Sequence, residues 1–133
     1  MGDVVKCPCA GTNLDRLLQP TILALLADSD IHGYGLIRKI VDSSIFAKEK
    51  PDAAGIYRFL KTLEHRGLVE SKWDISATGS PKKVYRITHD GVQCLQTWIE
   101  TLEEYRTSID HLLDDAKGML GSYRARRSDS EIN

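Results

Sequence analysis

The chain has 133 residues, 41% hydrophobic and 28% charged, with a formal net charge of −1 at pH 7. Its length allows one ordinary domain with, at most, an appended helix. No apolar run approaches the roughly 20 residues that span a bilayer, the N-terminus has no signal-peptide core, and three cysteines do not make a secreted disulfide framework; a cytoplasmic protein with no membrane partner is expected.

A net charge of −1 argues against nucleic acid, but the distribution matters more than the sum. Residues 32–91 carry eleven Lys/Arg against seven Asp/Glu, net +4, whereas residues 92–120 carry two against six, net −4. A basic centre followed by an acidic segment suits a DNA-binding unit whose neighbour stays off the phosphates.

Residues 1–13 have no periodicity and contain Pro8 and Gly11, and are expected to form a flexible arm. From Leu14 to Ala27, Leu14, Leu17, Leu18, Ile22, Leu25 and Leu26 keep to one broad face, which predicts a helix with Asn13 as N-cap. Pro20 lacks an N–H and must kink or restart that helix. Asp28-Ser29-Asp30 reads as a turn. His32-Gly33-Tyr34-Gly35 then opens a second helix running to about Ser43, with Leu36, Ile37, Ile40 and Val41 inward. Ser43 to Lys50 is a polar connector with Ile45 and Phe46 as its expected anchors.

The stretch Pro51–Gly67 reads as a third helix with both ends marked. Asp52 suits the N-cap, and Gly67 suits a left-handed stop. Ile56, Leu60 and Leu63 form one apolar stripe, while Arg58, Lys61, Thr62 and His65 lie opposite. A helix held by such a stripe fits the major groove of B-DNA, where Arg, Lys and Thr can reach base edges and phosphates.

After Gly67 the period turns to two. Residues 68–73 and 82–88 read as strands joined through a turn-rich segment whose tip holds Gly79, Ser80, Pro81, Lys82 and Lys83. Three helices followed by a hairpin with a cationic tip define a winged helix-turn-helix over residues 14–89. The expected fold class is mostly α with a small β-hairpin, followed by a long C-terminal dimerisation helix.

That helix is predicted over residues 90–123, with a disordered tail over 124–133. Val92, Leu95, Ile99, Leu102, Arg106, Ile109, Leu113, Ala116, Leu120 and Tyr123 alternate steps of three and four, a coiled-coil rhythm broken only at Arg106. Trp98, Leu112 and Met119 widen the stripe. A seam this long needs a partner, and a second copy is the simplest. Leu95, Ile99, Leu102, Ile109, Leu113 and Leu120 are its expected dimerisation residues.

The segments LLADSDIHGYGLIRKI (25–40), GIYRFLKTLEHRGLVES (55–71) and PKKVYRIT (81–88), with Gly91 shortly after, resemble the PadR-like transcriptional regulators, specifically their short-tailed branch. The resemblance implies a homodimer that binds a pseudo-palindromic operator on double-stranded DNA and usually represses. It implies that the first and last helices make the dimer, the third enters the major groove and the wing touches the backbone. Tyr57, Arg58 and Lys61 match the family's DNA-contacting helix, and Lys82 and Lys83 match its wing. Tyr34 matches a position near the DNA backbone or in the core. The wing departs from the family's frequent GRPRK-like turn, which removes an arginine and keeps the charge. Trp98 and Tyr105 are candidates to line a small-molecule effector pocket between subunits, as in multidrug-sensing relatives.

Cys7-Pro8-Cys9 lies outside that pattern. Two nearby thiolates can share a soft metal or oxidise, so a thiol- or metal-responsive sensor is one alternative, although two ligands do not complete a site. A protein-interaction module that dimerises through the long helix is another. His32, His65, His89 and His111 lack HxH or HxxxH spacing, and no catalytic triad order or phosphate-binding glycine loop stands out. No enzyme activity and no cofactor are expected.

Overall fold

The computed structural model describes residues 16–46, 50–75 and 79–132. The chain divides after Gln96 into two units.

In the first unit, helix α1 spans Leu18–Asp28. Pro20 falls in its first turn, where its missing N–H leaves no intrahelical bond unmade. The proline therefore restarts the helix, and the expected Asn13 cap and Leu14 lie outside the described residues. Strand β1, Ile31–His32, follows and leads directly into α2, Gly33–Val41. A 3-10 turn, Ser44–Phe46, carries one anchor rather than the two expected: Phe46 is buried and Ile45 is exposed.

Helix α3, Ala53–His65, has the ends its sequence marks. The Asp52 carboxylate accepts from the Gly55 N–H at 2.9 Å. At the other end Leu68 N donates to Leu63 O and Gly67 N to Glu64 O, each at 3.0 Å. That is a Schellman closure, and it requires the left-handed φ of +76° that Gly67 adopts.

Strands β2 (Val69–Asp74) and β3 (Lys82–Ile87) pair antiparallel, and β1 adds to the free edge of β3, giving the order β1-β3-β2. The ladder runs from Val69 opposite Ile87 to Asp74 opposite Lys82. Both lysines expected at the hairpin tip therefore belong to the ladder. The core gathers Ile22, Leu23 and Leu26 of α1, Leu36, Ile37 and Ile40 of α2, the Ile56/Leu60/Leu63 stripe of α3, and Val69 and Tyr85 of the sheet. Leu25 and Val41 are only half-buried.

Helix α4 spans His89–Ile132, 44 residues, or about 66 Å at 1.5 Å per residue. Thr88 caps it, its hydroxyl accepting from Gly91 N at 3.0 Å and donating to Gly67 O at 2.6 Å. The helix passes through residues 124–132, which had been expected to be disordered. No glycine or proline follows Gly121, and Arg124, Ala125, Arg126 and Arg127 all favour helix. Cys94 is a free, half-buried thiol 3.5 Å from Gln19 Nε2. Within the second unit, Ile99, Ile109, Leu112, Leu113, Met119, Leu120 and Tyr123 are all exposed. No helix among the described residues is long and apolar enough to cross a membrane.

Candidate nucleic-acid interface

Because Ile56, Leu60 and Leu63 are fully buried, the opposite side of α3 is turned outward. Tyr57, Arg58, Lys61 and His65 are exposed along it. Thr62 is half-buried, and its hydroxyl donates back to the Arg58 carbonyl at 3.2 Å, which commits its only proton. Beside this face an open groove of about 1180 Å³ runs between α3, the start of α2 and the wing strands. Tyr34, Tyr57, Lys61, His65, Lys82 and Lys83 all line it, so six of the eight residues singled out from sequence share one concavity. Arg58 and Thr62 do not line it.

Tyr34 lines the groove. It is 69% exposed and so lies outside the core, and its hydroxyl accepts from Arg38 Nη1 at 3.4 Å. Tyr57, 44% exposed, reaches the groove past Gly33. A methyl group on Gly33 would stand 3.1 Å and 3.2 Å from the Tyr57 ring edge and hydroxyl, so the glycine lets the phenol lie against α2.

The two wing lysines differ. Lys83 Nζ lies 3.8 Å from Glu64 Oε1 and within 6.0 Å of the Trp73 and Tyr85 ring centroids. Glu64 is itself held by the Ser71 hydroxyl, which donates to Oε2 at 2.7 Å. Lys83 is thus tied to α3 and partly neutralised, whereas no described residue pairs with the exposed Lys82. Burial holds the Tyr85 hydroxyl above the usual phenol range, with the neighbouring Glu64 and Tyr57 adding to the effect. It therefore adds no charge to the groove at neutral pH.

A second tie joins β2 to the start of α2, where His32 Nε2 is 3.1 Å from Asp74 Oδ2. Trp73, Glu64 and His32 line the groove without having been singled out from sequence. For Trp73 the cross-strand pairing with Lys83 is the signal, and that register is visible only once the hairpin is closed.

Other expected sites are less gathered. Trp98, half-buried, and Tyr105, exposed, are seven residues apart on one side of α4. Cys7 and Cys9 lie outside the described residues, and among those residues no group of three His, Cys, Asp or Glu could hold a metal.

Three helices, a three-stranded antiparallel sheet and a cationic outer helix beside a lysine-bearing hairpin define a winged-helix protein. The family model of the transcriptional regulator PadR-like family matches residues 22–97, and the chain belongs to that family. Its solved neighbours agree. A conserved protein of unknown function, described as a potential transcriptional factor, is 31% identical at a TM-score of 0.69, over 81% of this chain and 94% of that one. A PadR-like transcriptional regulator from Bacillus cereus is 24% identical at a TM-score of 0.66, over 75% and 94%, and shows the same fold. Bacillus subtilis PadR, solved in complex with operator DNA, is 28% identical at a TM-score of 0.55, over 62% of this chain and 47% of that one. No curated protein matches the chain at comparable stringency.

Proposed function

We propose that this chain is a homodimeric, sequence-specific DNA-binding repressor of a pseudo-palindromic operator, released by a small-molecule or stress signal. The observation that carries the reading is the exposed face of α3, where Tyr57, Arg58, Lys61 and His65 stand beside the wing lysines. The complex of Bacillus subtilis PadR with operator DNA supports it. In this reading α3 enters the major groove, Arg58 and Lys61 reach bases and phosphates, and Lys82 and Lys83 hold the wing to the backbone. Tyr34 contributes a backbone contact at the rim.

The proposed division of labour assigns residues 14–89 to DNA and 90–123 to dimerisation, with residues 1–13 as an arm. The exposed apolar row Ile99, Ile109, Leu113 and Leu120, with half-buried Leu95 and Leu102, supports a second copy as the partner. Trp98 and Tyr105 are the proposed effector contacts. An effector there would favour a dimer whose two α3 helices are spaced wrongly for adjacent major grooves.

Fluorescence-anisotropy titration tests this, using a labelled duplex from upstream of the protein's own gene and a random duplex of equal length at two salt concentrations. The expected result is preference for the upstream duplex that survives the higher salt, with two chains per duplex at saturation. Equal, salt-sensitive binding to both duplexes would remove sequence-specific regulation at that site, and one chain per duplex would remove the dimer. In the same assay Lys82→Ala should weaken both duplexes alike and flatten the log–log salt slope by about one. Lys83→Ala should flatten it less, because Glu64 already offsets part of that charge.

A further inference from the structure

The most exposed large aromatic surface of the sheet is the Trp73 ring, 64% exposed at the end of β2. It stands on the cationic side of the unit, in the groove shared by Lys61, Lys82 and Lys83. It is also held in place. Lys83, its cross-strand neighbour, lies over the ring with Nζ 6.0 Å from the centroid, and Glu64 of α3 holds Lys83 at 3.8 Å. On the same strand, Asp74 is tied to His32. One link from α3 through Lys83 and one from β1 through Asp74 therefore fix the stretch of β2 that carries the ring.

We infer that Trp73 is a DNA-contacting residue of the wing, packing its open face on the deoxyribose of the strand that leaves the groove occupied by α3. This rests on the DNA-binding reading above and adds to it an apolar contact that a count of cationic residues misses. Charge selects the occupant: Lys83 over the ring, with Lys61 and Lys82 in the same groove, favours a polyanion, and the sugar between two phosphates is the apolar part of that polyanion. The indole N–H supplies one donor for a phosphate oxygen. Tyr34 and Tyr57 line the same groove and extend the aromatic surface toward α2.

The contact has a signature that distinguishes it from a charge. An apolar contact releases no counterions, so Trp73→Ala should weaken the upstream duplex about tenfold at fixed salt while leaving the salt slope at its parental value. Trp73→Phe should keep affinity within about threefold, because the ring remains. Tryptophan emission of the parent should change on saturation with the duplex, and that change should be smaller in Trp73→Phe, where only Trp98 emits.

Each alternative outcome is decisive. If Trp73→Ala binds the duplex as tightly as the parent, or the emission change is undiminished in Trp73→Phe, Trp73 does not touch DNA. The same holds if an emission change absent from Trp73→Phe follows protein concentration without DNA, which would make the ring a contact between copies. A parent chain that binds no duplex overturns the DNA reading, and this inference with it. Circular dichroism melts of both variants should match the parent, since the ring lies outside the core.

Discussion

Replacing Gly91 by alanine should lower the melting temperature of the chain by about 10 °C, although alanine is the better helix former. Gly91 is buried in the first turn of α4. A methyl group there would overlap the Leu68 carbonyl and stand 2.7 Å from Ile87 Cγ1. Neither neighbour can yield easily. The Leu68 carbonyl accepts from Thr88 N at 3.2 Å, and Leu68 N closes the end of α3. Thr88 spans the same junction from Gly67 to Gly91. Alanine gains about 1 kcal/mol in helix propensity. Forcing a methyl into a packed junction costs about 3 kcal/mol, so the clash wins by about 2 kcal/mol. Gly118→Ala supplies the contrast, because nothing lies within 4 Å of a methyl there and only the propensity gain remains. Thermal melts followed at 222 nm would show Gly91→Ala below the parent and Gly118→Ala at or above it. A Gly91→Ala chain that melts with the parent would mean that this junction is looser than its hydrogen bonds imply.

The same junction shows how much of the fold could be read without coordinates. Helix α3 was legible to within a residue or two because both its ends carry local chemistry: an aspartate that caps and a glycine that accepts positive φ. The hairpin was legible because its period changed. Strand β1 was not, since two residues have no period, and Ile31 and His32 become a strand only by pairing with Tyr85 and Val84. The second strand was read from Lys82 onward, but the register that sets Lys82 opposite Asp74 and Lys83 opposite Trp73 was not, because turn chemistry alone does not specify it. Most of the candidate interface follows from α3, where burying one stripe must expose the other. What stayed hidden depends on distance across the chain: the Glu64–Lys83 tie, the His32–Asp74 tie, and the placing of Trp73 beside them. Helix α4 was legible as a rhythm but not in its length, because the arginine-rich end, through which the helix runs to Ile132, has no apolar pattern to mark it.

Arg58→Ala should weaken binding to the preferred duplex by about 10- to 100-fold, the range of one bidentate arginine contact to a guanine, and should relax the preference at one base-pair position. The expectation rests on where α3 puts the side chain. Arg58 is exposed, lies two positions after the buried Ile56, and stands outside the groove that Lys61 and His65 line. It is therefore on the part of the helix least committed to the wing. Lys61 faces the groove, and Lys61→Ala should weaken all duplexes alike with a salt slope lower by about one. Arg58→Lys separates charge from geometry. It keeps the cation, so the salt slope should hold, but it lacks the planar fork, so base discrimination should fall as it does in Arg58→Ala. Stability should move by no more than about 0.5 kcal/mol in any of these variants, since each side chain is exposed. Anisotropy titrations against single-base-pair substitutions of the preferred duplex measure the discrimination directly. If Arg58→Ala retains the parental ranking of those substituted duplexes, Arg58 reads no base, and sequence preference must come from Tyr57, from His65 or from the deformability of the DNA itself.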